Sequence, residues 1–360
     1  MDFDPKTGGL KCPYCGTEQA LPAENAPAPA ENVLDAYLHP DGSQLRRLSA
    51  AALQATCSSC GGTITFEPPQ VAGSCPFCGA KIVAQAVAAD PLIAPEGVLP
   101  FAITRKQATG SIQQWLSSRW FAPNALKRMA RQNGIDGVYL PFWTYDAQTY
   151  TRYNGQRGEH YWETETYTET DSEGRTVRKE RRVMKTRWYS ASGRVDRFFD
   201  DVLIAASQTI PEGRLDALEP WDLDALRPYD PAYLSGFKAQ RYQVELPQGF
   251  DRAKEAMAPV IADDIRRDIG GDEQRILSSD TRYVAITFKH LLLPIWIAAY
   301  RFESKVYQVI VNARTGEVQG ERPYSIWKIA LLIVAILIVV AAIYFLRDGG
   351  GGQPSFSGGS

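Results

Sequence analysis

The chain has 360 residues, 44% of them apolar and 22% charged, with a formal charge of −2 and six cysteines. This composition excludes collagen-like, globally disordered and disulfide-scaffold classes, and at roughly 100 to 200 residues per domain the length allows about two domains plus appendages. The near-neutral balance argues against a binder held to nucleic acid by bulk charge, so any basic function must be local.

Met1-Asp2-Phe3-Asp4-Pro5 offers no basic or apolar leader, so nothing reads as a secretory signal and the thiols are expected to face a reducing cytosol. All six cysteines fall in C-x-x-C pairs, Cys12/Cys15, Cys57/Cys60 and Cys75/Cys78, each followed by a glycine (Gly16, Gly61, Gly79). Such a turn lets two thiolates converge on one tetrahedral zinc ion at about 2.3 Å. Cys57, Cys60, Cys75 and Cys78 flank a short β-like stretch, Thr63-Ile64-Thr65-Phe66, and are expected to hold one structural zinc. With four protein ligands and no open position, that site holds a fold together and activates no water. A redox dithiol would need a thioredoxin-like βαβ context that is missing. Cys12 and Cys15 are candidate ligands of a second site but make only half a ribbon. The remaining ligands would come from another chain, from His39 or from residues upstream of Met1, and a knuckle without metal is the alternative.

The Pro/Ala/Glu/Asn stretch over 21–32 reads as a disordered linker within a zinc-ribbon region over 1–85, and the Ala/Pro-rich stretch over 86–97 as a second linker. An α+β domain is expected over 98–324. It opens with a helix after Thr104, where Ile112, Trp115, Leu116 and Trp120 recur every three to four residues, and Pro123 and Gly134 bracket a second short helix.

From Val138 to Phe199 the period is two, with a turn at Asp171-Ser172-Glu173-Gly174, which predicts a long hairpin. Glu163, Glu165 and Glu169 on its first strand can face Arg178, Lys179, Arg181, Arg182, Lys185 and Arg187 on the return. A helix from about Asp251 to Ile269, kinked at Pro259 and stopped by Gly270-Gly271, precedes strands from Tyr283 to about Val318. Leu140-Pro141-Phe142-Trp143 echoes Leu293-Pro294-Ile295-Trp296, which fits two similar sheet layers, a duplicated α+β unit, or shared edge-strand chemistry around proline.

Ile329 to Leu346 is an unbroken apolar run of about 27 Å as a helix, with Tyr324 and Trp327 at one edge and Tyr344 and Phe345 at the other. A transmembrane helix is therefore expected over 326–346, with the bulk of the chain cytoplasmic and a flexible Gly/Ser tail over 347–360 outside.

No Walker loop, H-E-x-x-H, G-x-S-x-G or dinucleotide fingerprint is present. His39, His160 and His290 read as structural or surface residues, and Asp200/Asp201 and Asp263/Asp264 as a strand-end turn and a solvated helix face, so no catalytic residue is assigned. Residues 1–90 carry five Lys/Arg against nine Asp/Glu, a net −4, the wrong sign for phosphate neutralisation by the ribbons.

The chain resembles bacterial membrane-anchored zinc-ribbon proteins that often carry labels borrowed from the primosomal protein N′ helicase. The resemblance rests on Leu10-Lys11-Cys12-Pro13-Tyr14-Cys15-Gly16, Cys75-Pro76-Phe77-Cys78-Gly79, Leu99-Pro100-Phe101 and Trp120-Phe121-Ala122-Pro123-Asn124. It continues through Gly137-Val138-Tyr139-Leu140-Pro141-Phe142-Trp143 and Val311-Asn312-Ala313-Arg314-Thr315-Gly316-Glu317-Val318. It implies partners of the phage-shock protein A and SPFH (flotillin-like) kinds. The helicase label finds no nucleotide-binding loop here, and the first knuckle of ribbon one is missing.

The sequence thus predicts an α+β protein with an N-terminal zinc-ribbon module, a mixed middle domain with a long β-hairpin and a single C-terminal transmembrane helix. Its expected role is that of a non-enzymatic adaptor that recruits protein partners at the cytoplasmic (inner) membrane in a stress response. The alternatives are a tethered nucleic-acid-binding regulator and an unrecognised membrane-bound enzyme.

Overall fold

A computed structural model describes residues 1–21, 29–38, 45–46, 53–66, 72–83, 92–119, 134–170, 172, 174–302, 305–321 and 326–348. The chain begins with β1 (Asp2–Asp4), β2 (Gly9–Lys11) and β3 (Glu18–Gln19), a small antiparallel sheet. Next come β4 (Asn32–Val33), α1 (Leu34–Tyr37), β5 (Leu45–Arg46) and two short hairpins, β6 (Leu53–Thr56) with β7 (Thr63–Phe66) and β8 (Ala72–Ser74) with β9 (Lys81–Val83). The body follows as β10 (Leu92–Ile93), β11 (Gly97–Val98), α2 (Arg105–Ser117), β12 (Asp136–Thr170), β13 (Thr176–Ala205), α3 (Glu212–Asp216), β14 (Arg227–Pro228) and β15 (Lys238–Gln240). It closes with α4 (Leu246–Ile269), β16 (Glu273–Phe302), β17 (Lys305–Asn312), β18 (Val318–Gly320) and α5 (Ile326–Asp348).

One large sheet dominates, with β12 and β16 antiparallel at its centre. This is a strand-rich, mixed architecture with few helices, which corrects the α+β class expected from the sequence. Part of the reason lies in Glu273–Arg282, a mostly polar run without apolar alternation that β12 nevertheless recruits by pairing Gly158↔Glu273 through Tyr150↔Arg282. The second short helix expected between Pro123 and Gly134 lies outside the described residues, as do most of the 21–32 stretch and the tail beyond 348. Of the stretch over 86–97, residues 92–97 are described, and Leu92, Ile93 and Gly97 there belong to strands.

The two Leu-Pro echoes are neighbours in this sheet: Leu140 pairs with Leu293, Tyr139 with Pro294 and Pro141 with Leu292. Both prolines therefore lie in central strands of one sheet, and each keeps its carbonyl bonded, Ala206 N donating to Pro141 O at 3.0 Å and Ala313 N to Pro294 O at 3.1 Å. A pseudo-twofold relation extends outward. β11, α2, β12, β13 and β15, α4, β16, β17 each run strand, helix, long strand, return strand, and β11 lies parallel to β16 as β15 does to β12. Trp143 Nε1 donates to Val244 O (2.9 Å) just before α4, and Trp296 Nε1 to Ile103 O (2.7 Å) just before α2, so each unit pins the other's helix.

Both helices cover one face. Thr104 caps α2 in a capping box with Gln107, and the helix buries Ala108, Ile112 and Leu116 against Tyr139 and Trp296. α4 starts with Pro247 in its first turn, runs through exposed Pro259, ends at Gly270 (φ 64°) and buries Ala253, Met257, Ile261 and Ile265 against Trp143 and Tyr145. Gly249 lets it approach so closely that an added Cβ would sit 2.8 Å from Trp143 Cδ1. The opposite face, with Val138, Leu140, Phe142, Leu291, Leu293 and Ile295, carries the cysteine hairpins and Trp221.

Among the described residues no helix is long and apolar enough to cross a membrane. This overturns the transmembrane helix expected over 326–346, and with it the single-pass localisation in the cytoplasmic membrane. α5, Ile326–Asp348, occupies those positions.

Candidate metal centre

Three C-x-x-C turns adopt one backbone geometry. In each, the N–H of the glycine that follows the second cysteine folds back onto the carbonyl of the first: Gly16 N donates to Cys12 O (3.0 Å), Gly61 N to Cys57 O (2.8 Å) and Gly79 N to Cys75 O (2.8 Å). The return strand closes each loop, Cys12 N donating to Thr17 O, Cys57 N to Gly62 O and Cys75 N to Ala80 O. The glycine at the fifth position has φ between 72° and 75° in all three, a left-handed turn that explains why the sequence places glycine there.

The second and third turns face each other. Sγ of Cys57 lies 3.5 Å from Sγ of Cys78, Sγ of Cys60 lies 3.6 Å from Sγ of Cys75, and all four ligand atoms fall within 4.8 Å of one another. A tetrahedron with metal–sulfur bonds of about 2.3 Å has edges of about 3.8 Å. None of the four is in a disulfide, so the donor set fits a metal ion held by four thiolates. Burial pushes the Cys60 thiol up to about 11 and the Cys75 thiol still higher, so these two thiols resist ionisation without a cation beside them. Burial acts the same way on Cys57, but backbone N–H groups of Ser59 and Cys60 aimed at its sulfur bring it down to about 7.

This centre is built into the body. Cys57, Cys75, Cys78, Ile64, Phe77 and Ile82 share a buried cluster with Val138, Leu140, Leu218 and Ile310. β7 pairs with β15, through Ala239↔Thr65 and Gln240↔Ile64, which joins the ribbon to the large sheet. Gln308 Nε2 donates to Phe77 O (2.7 Å), Gln243 Nε2 to Gly61 O (3.3 Å) and Lys238 Nζ to Ser74 O (3.2 Å). Fully burying Phe77 alone contributes roughly 1.5–3 kcal/mol.

Cys12 and Cys15 are placed differently. Their knuckle is docked by Phe3, whose N–H donates to Ser235 O and whose buried ring lies 5.4 Å from Tyr233, but Cys15 itself is exposed. The Thr17 hydroxyl, 3.1 Å from its sulfur, lowers the Cys15 thiol to about 7. Among the described residues, no group of three or more ligating side chains includes this pair. His39 lies outside the described residues.

The other sequence candidates fall apart spatially. His160, on the hairpin, meets Glu273 of β16 (2.9 Å), while His290 is buried against Trp143, with Nδ1 2.8 Å from Ile93 O. Burial drives His290 down to about 4. Asp264 is not simply solvated: it pairs with Arg197 and Arg267.

Sequence reasoning missed a second polar cluster. Lys289, nearly buried, meets Asp201 (2.6 Å) and Glu31 (3.2 Å); Asp146 accepts from Asp201 N (2.6 Å), and Thr287 Oγ1 donates to Glu31 (2.8 Å). Bulges on both sides of β12 at this level carry two left-handed non-glycine residues, Asp201 (φ 49°) and Ala285 (φ 50°). Burial raises Asp146 to about 6. Beside it, Glu96 accepts from His290 N and Asn32 Nδ2, both at 2.6 Å, and burial raises it to about 7. The cluster assembles residues from four separate segments, and only the lone lysine in the apolar run around 289 could have signalled it.

Comparison with known proteins finds similarity to the Uncharacterized protein YdjG of Bacillus subtilis (strain 168), 26% identical over 333 residues that cover 92% of this chain and 89% of that protein. No protein-family model matches the chain. No solved structure matches it.

Proposed function

We propose that the chain is a non-catalytic, zinc-stabilised adaptor that presents rigid surfaces to protein partners. The observation that carries this reading is the closed set of four thiols, embedded in the core and joined by a strand to the main sheet. Zinc suits that set, because four soft thiolates in a tetrahedron leave no position for water or substrate. Comparable structural sites supply on the order of 10–16 kcal/mol of apparent binding free energy, which orders short hairpins that have little core of their own.

The surface for partners is the β12–β13 hairpin together with the ribbon edge. Trp162, Met184 and Tyr189 are exposed on the hairpin, and Arg182 lies over Trp162 and Arg187 over Tyr161. Such aromatic and arginine side chains are over-represented at the anchor points of protein interfaces. The family resemblance makes phage-shock protein A and an SPFH-type protein the partners to test first.

The experiment is binding of each purified partner to the immobilised full-length protein and to its Cys57→Ser and Trp162→Ala/Met184→Ala variants. The adaptor reading expects binding by the unaltered chain, loss in Cys57→Ser and at least tenfold weakening in the hairpin variant. Undiminished binding by both variants contradicts it.

A further inference from the structure

The sheet face that carries the ribbon continues outward along β12, β13 and β16. Arg152 lies on it, because its neighbour Tyr153 points the other way and donates to Asp268 of α4 (2.5 Å). In register, Arg152 stands between Arg194 of β13 and Asp280 of β16, and Tyr150 between Asp196 and Arg282. Two arginines directly opposite each other repel. Farther out on the hairpin, repulsion of this kind is offset, since Lys179 pairs with Glu169, Arg181 with Glu165 and Lys185 with Glu163 and Glu165. Arg152, Arg194 and Arg282, all exposed, form no ion pair with any described residue, although Asp280 and Asp196 lie in the adjoining register positions.

These side chains line an open concavity of about 520 Å³ with Tyr150, Asp280 and Val284. The Arg194 guanidinium lies 5.2 Å from the centre of the Tyr150 ring, a contact that limits its freedom. Three guanidinium groups against one carboxylate leave the lining at +2, the charge a phosphate dianion would neutralise. Guanidinium forks match phosphate oxygens in pairs, and the three-stranded sheet holds their backbones at fixed spacing.

We propose that Arg152, Arg194 and Arg282 form a binding site for a small phosphate-bearing anion. The site is independent of the metal centre and of the adaptor reading. The bound anion replaces the missing acidic partner, and Asp280 favours ligands that also offer a hydroxyl or amine donor.

Calorimetric titration of the full-length protein with inorganic phosphate and with pyrophosphate, at constant ionic strength set by sodium chloride, tests it. The expected result is saturable binding of at least one anion, weakened at least tenfold in Arg152→Gln and in Arg194→Gln, and unchanged in Arg181→Gln. Thermal unfolding without ligand should be no lower for Arg194→Gln than for the unaltered chain, since a like-charge contact is removed. Absence of saturable binding by both anions overturns the proposal. So does an equal loss in Arg181→Gln, which would mark binding by diffuse charge.

Discussion

Glu96 sits where three segments meet, its two oxygens taken up by His290 N and Asn32 Nδ2. Burial raises its carboxyl from 4.5 to about 7, and Asp146 nearby is raised from 3.8 to about 6 for the same reason. A carboxyl raised on folding contributes stability that is complete below its unfolded value and is lost as pH climbs through the folded one. For Glu96 the loss falls between about pH 4.5 and 7 and is on the order of 3 kcal/mol. The neighbouring His290, depressed to about 4, works in the opposite sense: its contribution is complete above 6.5 and is lost as pH falls through 4. Glu96→Gln should therefore unfold with a smaller loss of stability between pH 5 and 8 than the unaltered chain. Denaturant titrations at the two pH values measure this, and identical pH slopes would contradict it.

At the scale of elements, the long hairpin was legible because Tyr161–Thr170 alternates without interruption and its glutamates answer a basic return strand. The register confirms the complementarity at Glu165↔Arg181, with Lys185 bridging Glu163 and Glu165 diagonally. The start of β16 was not legible, since Glu273–Arg282 becomes strand only by pairing with a partner more than a hundred residues away. The C-x-x-C turns could be read outright, because a thiol pair and a left-handed glycine are local signals. Their union with the main sheet through β15 is non-local and left no mark in the sequence. Exposed ion pairs contribute little, a median of about 0–1 kcal/mol each. Removing residues 161–185 and closing the hairpin at His160 and Thr186 with a two-residue turn should thus shift the melting midpoint by less than about 4 °C. A loss of cooperative unfolding would show that the hairpin's outer half supports the fold.

The whole molecule is two interlocked strand–helix–strand–strand units with a metal-ready clasp on the face opposite the helices. The Leu-Pro echo was the sequence trace of this arrangement, and its meaning depended on the pairing of Leu140 with Leu293, which places both motifs at the centre of one sheet. The reciprocal bonds of Trp143 and Trp296 make the two helices mutually dependent, while the four cysteines secure the ribbon to the same central strands. The role of Cys12 and Cys15 differs, since their thiols lie away from that core. Metal content per chain, measured by mass spectrometry on the purified full-length protein and on two double variants, tests whether the second and third cysteine turns hold the metal. Cys57→Ser/Cys75→Ser is expected to lose a tightly held zinc ion and to melt at a markedly lower temperature, whereas Cys12→Ser/Cys15→Ser retains that ion and its melting temperature. Zinc content and melting left unchanged by Cys57→Ser/Cys75→Ser would contradict that expectation.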